Sequence, residues 1–302
     1  LITQHASTET AGVPFEMSIV ASDIFGNFAS GYEGEHYLTW TLLPNNTQAK
    51  LPQDSNRYFA NGSTTVTGII LYNAQETPVI AVSDGTIRGT SSKIVVMPTN
   101  VTHFEMATQH NQSETAGATF SVTLTARDSC GNVATNHTGN HDLRWGLNAI
   151  SSPIGILPVK PADGVQIFEQ GRVVVDGFRL TRAEDMATIT VTGSTSTGTV
   201  TGTCGSITVR SGSPTTFAIF VPLSAEVNKI FEINNITAQD ICGNTARDYQ
   251  GNKTLTYTGP GNSPSQLPPS YTNPVNFEGG MATRLLTTLV KAETVAIRVQ
   301  EG

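Results

Sequence analysis

Apolar and polar residues alternate along this chain in short runs. In Phe15-Glu16-Met17-Ser18-Ile19-Val20-Ala21 the Phe, Met, Ile and Ala side chains share one face, and Phe120-Ser121-Val122-Thr123-Leu124-Thr125-Ala126 repeats the pattern more cleanly. A period of two is that of a β-strand with one face buried. Asp-x-x-Gly-Asn follows each run and predicts a turn, with Gly free to take positive φ and Asn tolerant of the left-handed region. No convincing helical period appears. Several such strands per hundred residues, separated by turn residues, predict an all-β antiparallel sandwich.

The pattern also recurs on a larger scale. Thr10-Ala11-Gly12, Phe15 and Asp23-Ile24-Phe25-Gly26-Asn27 return as Thr115-Ala116-Gly117, Phe120 and Asp128-Ser129-Cys130-Gly131-Asn132. A looser third copy runs from Phe231 to Asp240-Ile241-Cys242-Gly243-Asn244, with Ala225-Glu226-Val227 in the Thr-Ala-Gly place. Later landmarks keep their order: Tyr32, His137 and Tyr249; Trp40, Trp145 and Tyr257; Leu51-Pro52, Leu157-Pro158 and Leu267-Pro268; Phe59, Phe168 and Phe277. The period is roughly 105–112 residues, the size of a whole domain rather than of a solenoid turn. Phe231 to Asp240 holds one residue more than its counterparts, which predicts a β-bulge there.

Boundaries follow from the joints. Ile94-Val95-Val96-Met97-Pro98 leads to His103-Phe104 as Ile207-Thr208-Val209-Arg210-Ser211 leads to Thr216-Phe217. The repeats are therefore placed at 1–98, 99–211 and 212–302. A short joint with a proline restrains bending and predicts a fairly stiff rod. In this alignment Leu1 matches Met106, so the first strand of repeat 1 reads as truncated. Repeat 3 lacks a counterpart of Lys93-Ile94-Val95-Val96-Met97, leaving an open sheet edge for the continuing chain or a strand from a neighbouring copy.

Composition narrows the function classes. Charged residues make up 14% of the 302 and the formal net charge is −7. No basic stripe exists to neutralise phosphates, which argues against nucleic acid. No apolar run approaches the 18 residues of a membrane span, and the opening Leu1-Ile2-Thr3 is not a signal peptide. Glycine-bounded nucleophile, zinc-helix, phosphate-loop and calcium-loop motifs are absent from the sequence, so neither an enzyme nor a cofactor is expected.

With these landmarks in view, the string TAG-x-x-F, A-x-D-x-x-GN, Y-x-G, L-x-W, LP, F, G and I-x-V resembles tandem bacterial immunoglobulin-like repeats of large surface and secreted proteins. It is more distantly similar to filamin-type repeats. The resemblance spans essentially the whole chain and implies three tandem immunoglobulin-like antiparallel β-sandwich domains in a rod. It implies an extracellular or cell-surface location, and a role in spacing, stiffening or display.

Candidate sites are few. Cys130 and Cys242 share one slot of the repeated turn, and Cys204 precedes the last strand of repeat 2. A Cys130–Cys204 disulfide is expected, with Cys242 pairing beyond this chain; the alternative is three buried free thiols. Asn-x-Ser/Thr sequons occur at Asn45, Asn61, Asn100, Asn111, Asn136, Asn235 and Asn252, with Asn235 set apart because it falls in a predicted strand. The other six are glycosylation candidates or ordinary polar turns. Asp23, Asp128 and Asp240 recur and are weak metal candidates, against the simpler reading that each caps its own turn. His137, His141 and Asp142 form the one local histidine cluster. Trp40, Trp145 and Tyr257 read as core residues rather than as a sugar platform.

The leading expectation is a structural module of an extracellular fibre, surface layer or stalk. An adhesin binding a glycan or protein through its loops, with the longer insert Leu147 to Gly164 in repeat 2, is one alternative. Spacer domains of a large secreted enzyme are another. A cytoplasmic actin crosslinker is disfavoured by the sequons and the expected disulfide.

Overall fold

The fold comes from a computed structural model that describes residues 1–44, 48–195 and 198–302. It is all-β, and the described residues contain no helix. Three separate hydrophobic cores follow one another along the chain, one within each repeat.

Repeat 2 shows the plan most fully. Thr119–Arg127 lies between His103–Thr108 and Arg172–Arg179, antiparallel to both. The facing sheet runs in the order Gly164–Phe168, Gly139–Asn148, Met186–Thr195, Gly198–Arg210. Ser113–Thr115 leaves the first sheet and pairs parallel with Gly198–Arg210, so the opening segment contributes to both layers. This is the immunoglobulin-like strand arrangement. Alternation turns Phe120, Val122, Leu124 and Ala126 inward against Leu143, Trp145, Ile189 and Ile207. Trp145 meets Phe178 edge-on at 5.1 Å between centroids, as the core reading expects. Full burial of Phe168 and Phe178 contributes about 2–3 kcal/mol each.

Repeat 1 repeats the layers. Phe15–Val20 pairs with Ile2–Gln4 and Ser63–Leu71, Gly34–Leu43 with Ser55–Phe59 and Val79–Ser83, and Val95–Met97 runs parallel to Thr8–Thr10. Repeat 3 has Ile230–Gln239 between Thr216–Phe220 and Met281–Thr288, facing Leu255–Thr258 paired with Arg298–Glu301.

Three alignment readings are corrected. Leu1 takes the place of Phe104, not Met106: Gly89 lies under Leu1 as Gly202 lies under Phe104, and a Cβ on either glycine would collide with the backbone above it. Second, Asn228 rather than Val227 holds the Gly12 and Gly117 position. All three donate their backbone N–H to the end of the neighbouring strand, at Leu289, Leu71 and Leu180 respectively. All three have positive φ, of 61°, 75° and 83°.

Third, the bulge is not in repeat 3. Ile230–Gln239 and Met281–Thr288 keep one register from Ile230↔Thr288 to Thr237↔Met281. Bulges occur in repeats 1 and 2, between Phe15 and Met17 and between Phe120 and Val122. There the partner strand carries an extra residue beside Gly68 or Gly177, with φ of 79° and 97°. The added residue of repeat 3 lies opposite that extra position and restores equal counts.

Candidate interaction surfaces at the repeat joints

The repeated Asp-x-x-Gly-Asn turn is built the same way three times. The Asp128 carboxylate accepts from the Cys130 and Asn132 amides at 2.9 and 2.8 Å, and Asn132 Nδ2 donates back to it at 3.0 Å. Asp240 does the same for Cys242 and Asn244, and Asp23 for Phe25 and Asn27. These bonds, led by the one from the Asn27 side chain, hold the Asp23 carboxyl below its ordinary range. The weak metal candidates Asp23, Asp128 and Asp240 thus have their oxygens committed to turn donors. Among the described residues, no group of three or more His, Cys, Asp or Glu is arranged to hold a metal.

The asparagines do more than turn the chain. Asn132 and Asn244 are absent from the positive-φ residues; glycines 131 and 243 take that role, at 82° and 77°. Asn132 instead reaches into the preceding repeat. Its Nδ2 donates to the Tyr72 carbonyl at 2.8 Å and its Oδ1 accepts from the Ala74 amide at 2.9 Å. Asn244 repeats this on the Thr181 carbonyl and the Ala183 amide, both at 2.9 Å. A side-chain amide pairing with the carbonyl of one residue and the amide two further on mimics a strand neighbour. The joint sequence closes the other side: Thr99 donates its N–H to Asp128 at 3.1 Å, and Gly212 to Asp240 at 2.9 Å. Asn132 and Asn244 are only 6% and 3% exposed, and Asp128 and Asp240 are buried with them. A buried polar group with its partners in place holds a joint, because breaking one bond strands the others.

The cysteines take part in this packing. All three are free. The expected Cys130–Cys204 disulfide is not formed, because the two thiols face different interiors. Cys130 packs against the core of repeat 1, while Cys204 belongs to the core of repeat 2. A Cβ on Gly12 would lie 2.8 Å from Cys130 Sγ, and one on Gly117 would lie 3.0 Å from Cys242 Sγ. The Thr-Ala-Gly glycine of one repeat is therefore the socket floor for the turn cysteine of the next. Burial raises the pKa of the Cys204 and Cys242 thiols.

The insert Leu147 to Gly164 also belongs to a joint. Ile154 lies so close to Gly243 of repeat 3 that a Cβ there would meet its side chain at 2.6 Å. Thr181 Oγ1 donates to the Ile156 carbonyl at 3.0 Å and anchors the insert beside the strand end that receives Asn244. An exposed Arg247–Glu184 ion pair spans the same joint.

His137 and His141 stack face to face at 3.7 Å, with Phe168 edge-on to both. Tyr32 on His36, and Lys253 over Tyr249, occupy the same place in the other repeats. The cluster is a packing motif, and burial lowers the His137 pKa to about 4, with a smaller contribution from His141. Of the sequons, Asn61, Asn100, Asn111, Asn136 and Asn252 are exposed, Asn235 is half-buried in Ile230–Gln239, and Asn45 lies outside the described residues. Asn61 and Asn111 adopt φ of 45° and 51°, which gives them a turn role independent of any glycan.

In repeat 3 a cleft of about 660 Å³ is lined by Phe217, Ile219, Tyr249 and the Ile297–Glu301 edge. No helix among the described residues is long and apolar enough to cross a membrane.

No family model matches the sequence, and no curated protein matches it. Among solved structures the chain is similar to the Yersinia pseudotuberculosis adhesin InvE, at 17% identity and a TM-score of 0.28, covering 68% of this chain and 57% of that one. It is similar to an ICAM-5 D1–D4 ectodomain fragment at 10% identity and a TM-score of 0.32, covering 99% and 74%. The D0–D1 domain of intimin matches at 9% identity and a TM-score of 0.25, covering 69% and 96%. This chain thus spans just over half the length of the InvE structure.

Proposed function

We propose that this chain is a structural section of an extracellular or cell-surface stalk, fibre or surface layer, without catalytic activity. The observation behind the reading is the twice-repeated joint, in which a buried asparagine fastens each repeat to the strand end of the one before. A flexible display linker has no use for such a fastening; a spacer that must hold its length does. The insert of repeat 2, the feature that favoured an adhesin, touches Gly243 at a joint through Ile154, while Ile150, Ile154 and Leu157 stay 56%, 60% and 70% exposed and keep the adhesin as the second reading.

The cleft of repeat 3 accepts an extended segment by main-chain pairing along Arg298–Glu301, supplied by the continuing chain or a neighbouring copy. The exposed sequons are glycan attachment points in this reading.

Small-angle scattering of the 302-residue chain tests the central point. An extended particle whose maximum dimension does not change with ionic strength supports the stalk. A compact or broadly bending ensemble contradicts it. Protease shaving and surface biotinylation of intact cells test the location.

A further inference from the structure

The same turn is buried twice and bare once. Asp128 and Asn132, and Asp240 and Asn244, lie within joints, whereas Asp23 and Asn27 are exposed. Their neighbours are bare and apolar: Ile24 is 92% exposed, Phe25 85% and Phe28 56%. The equivalents of Phe25 are Cys130, which packs on the core of repeat 1, and Cys242, which is buried. The equivalent of Phe28 in repeat 2 is Val133, also buried. Nothing inside repeat 1 calls for this exposure, since the turn already satisfies its own carboxylate. Phe25 and Phe28 flank a prepared asparagine with the anatomy of an interface core, whereas Ile24 has a counterpart, Ile241, that stays 67% exposed within its joint.

We infer that the Asp23–Phe28 turn docks on a further β-sandwich domain joined ahead of this one in the same polypeptide. Asn27 holds that domain's strand end as Asn132 holds Tyr72 and Ala74. The inference rests on the stalk reading and extends it to a contact outside the chain. Continuity with the two internal joints fixes the mode. Residue size fixes the socket: Phe25 stands where Cys130 and Cys242 stand, so the receiving domain needs a recess deeper than those above Gly12 and Gly117.

That requirement argues against a second copy docking end to end. The free receiving face on repeat 3 carries Asn228 where the other repeats have glycine. In the internal joint a Cβ at this position already meets the cysteine sulfur at 2.8 Å, and a phenylalanine is larger.

Hydrogen exchange tests the inference, comparing the native polypeptide isolated from its source with the 302-residue chain. The expected result is that amides 23–28 exchange at least tenfold more slowly in the native polypeptide, approaching amides 128–133 in the same sample. Asn27→Ala and, separately, Phe25→Asp in the native polypeptide should abolish that protection and leave 128–133 unchanged. Equal exchange of 23–28 in the two samples overturns the inference, as does a native polypeptide that starts at Leu1. Protection that appears in the 302-residue chain as its concentration rises assigns the face to a second copy and also overturns it. Loss of protection at 128–133 and 240–245 would instead sink the stalk reading, so the two failures are separable.

Discussion

Asn132 and Tyr72 belong to different repeats, yet the side-chain amide of the first donates to the backbone carbonyl of the second at 2.8 Å inside a closed joint. Because the same asparagine accepts from Ala74 and is itself held by Asp128, its removal leaves two backbone groups and a carboxylate oxygen short of partners.

Asn132→Ala and Asn244→Ala are each expected to cost about 1–3 kcal/mol at their own joint. Differential scanning calorimetry should show the loss, and scattering should show a hinge at that joint. Far-UV circular dichroism should stay unchanged, because no strand pairing depends on these side chains.

Gly12→Ala is expected to weaken the first joint for two reasons. The new Cβ meets Cys130 Sγ at 2.8 Å, and φ of +75° disfavours any side chain, by about 1–2 kcal/mol. Cys130→Ala in the same chain should relieve the clash but not the backbone strain. Unfolding of the single and double variants should therefore show non-additivity, with the double variant less destabilised than the sum.

Disulfide chemistry gives a third outcome. Intact mass with and without reductant should be identical, and all three thiols should alkylate after unfolding. In the native chain Cys204 and Cys242 should resist alkylation, both being buried with raised pKa. A two-dalton difference on reduction would show one disulfide, and peptide mapping that placed it on Cys130 and Cys204 would restore that pairing.

Stability should also fall in mild acid. His137 is neutral in the fold, with a pKa of about 4 against an ordinary 6.5. Between these values the unfolded chain binds a proton that the folded chain does not. The contribution of His137 is therefore complete above pH 6.5 and is lost as pH falls toward 4. Thermal melts of the wild type and of His137→Gln should show a smaller slope over that window in the variant.

The sequence announced the sandwiches and the repeat because both depend on local alternation and on landmarks with fixed chemistry. Phe59, Phe168 and Phe277 are all fully buried, as their recurrence implied. What it misassigned were positions whose partners lie in another strand. Leu1 and Phe104 look unlike each other, and only Gly89 and Gly202 beneath them reveal the shared place. Asn228 substitutes for glycine by adopting positive φ, which residue matching does not detect. The joint itself left one readable trace: asparagine follows glycine in all three turns although glycine alone supplies the left-handed backbone. Similarly, the shared slot of Cys130 and Cys242 suggested covalent chemistry because its neighbour across the joint, a bare glycine, is silent in the sequence.

The asparagine of each joint is received by main-chain atoms of the preceding repeat. Tyr72-Asn73-Ala74 and Thr181-Arg182-Ala183 share a single residue, yet both seat an asparagine with the same pair of bonds. A fastening written in backbone geometry is indifferent to most side chains at those three positions, so that pair of bonds survives when a unit is duplicated, deleted or exchanged. Such a chain can change length by recombination while keeping one fastening per step, as a ruler gains divisions without changing their spacing.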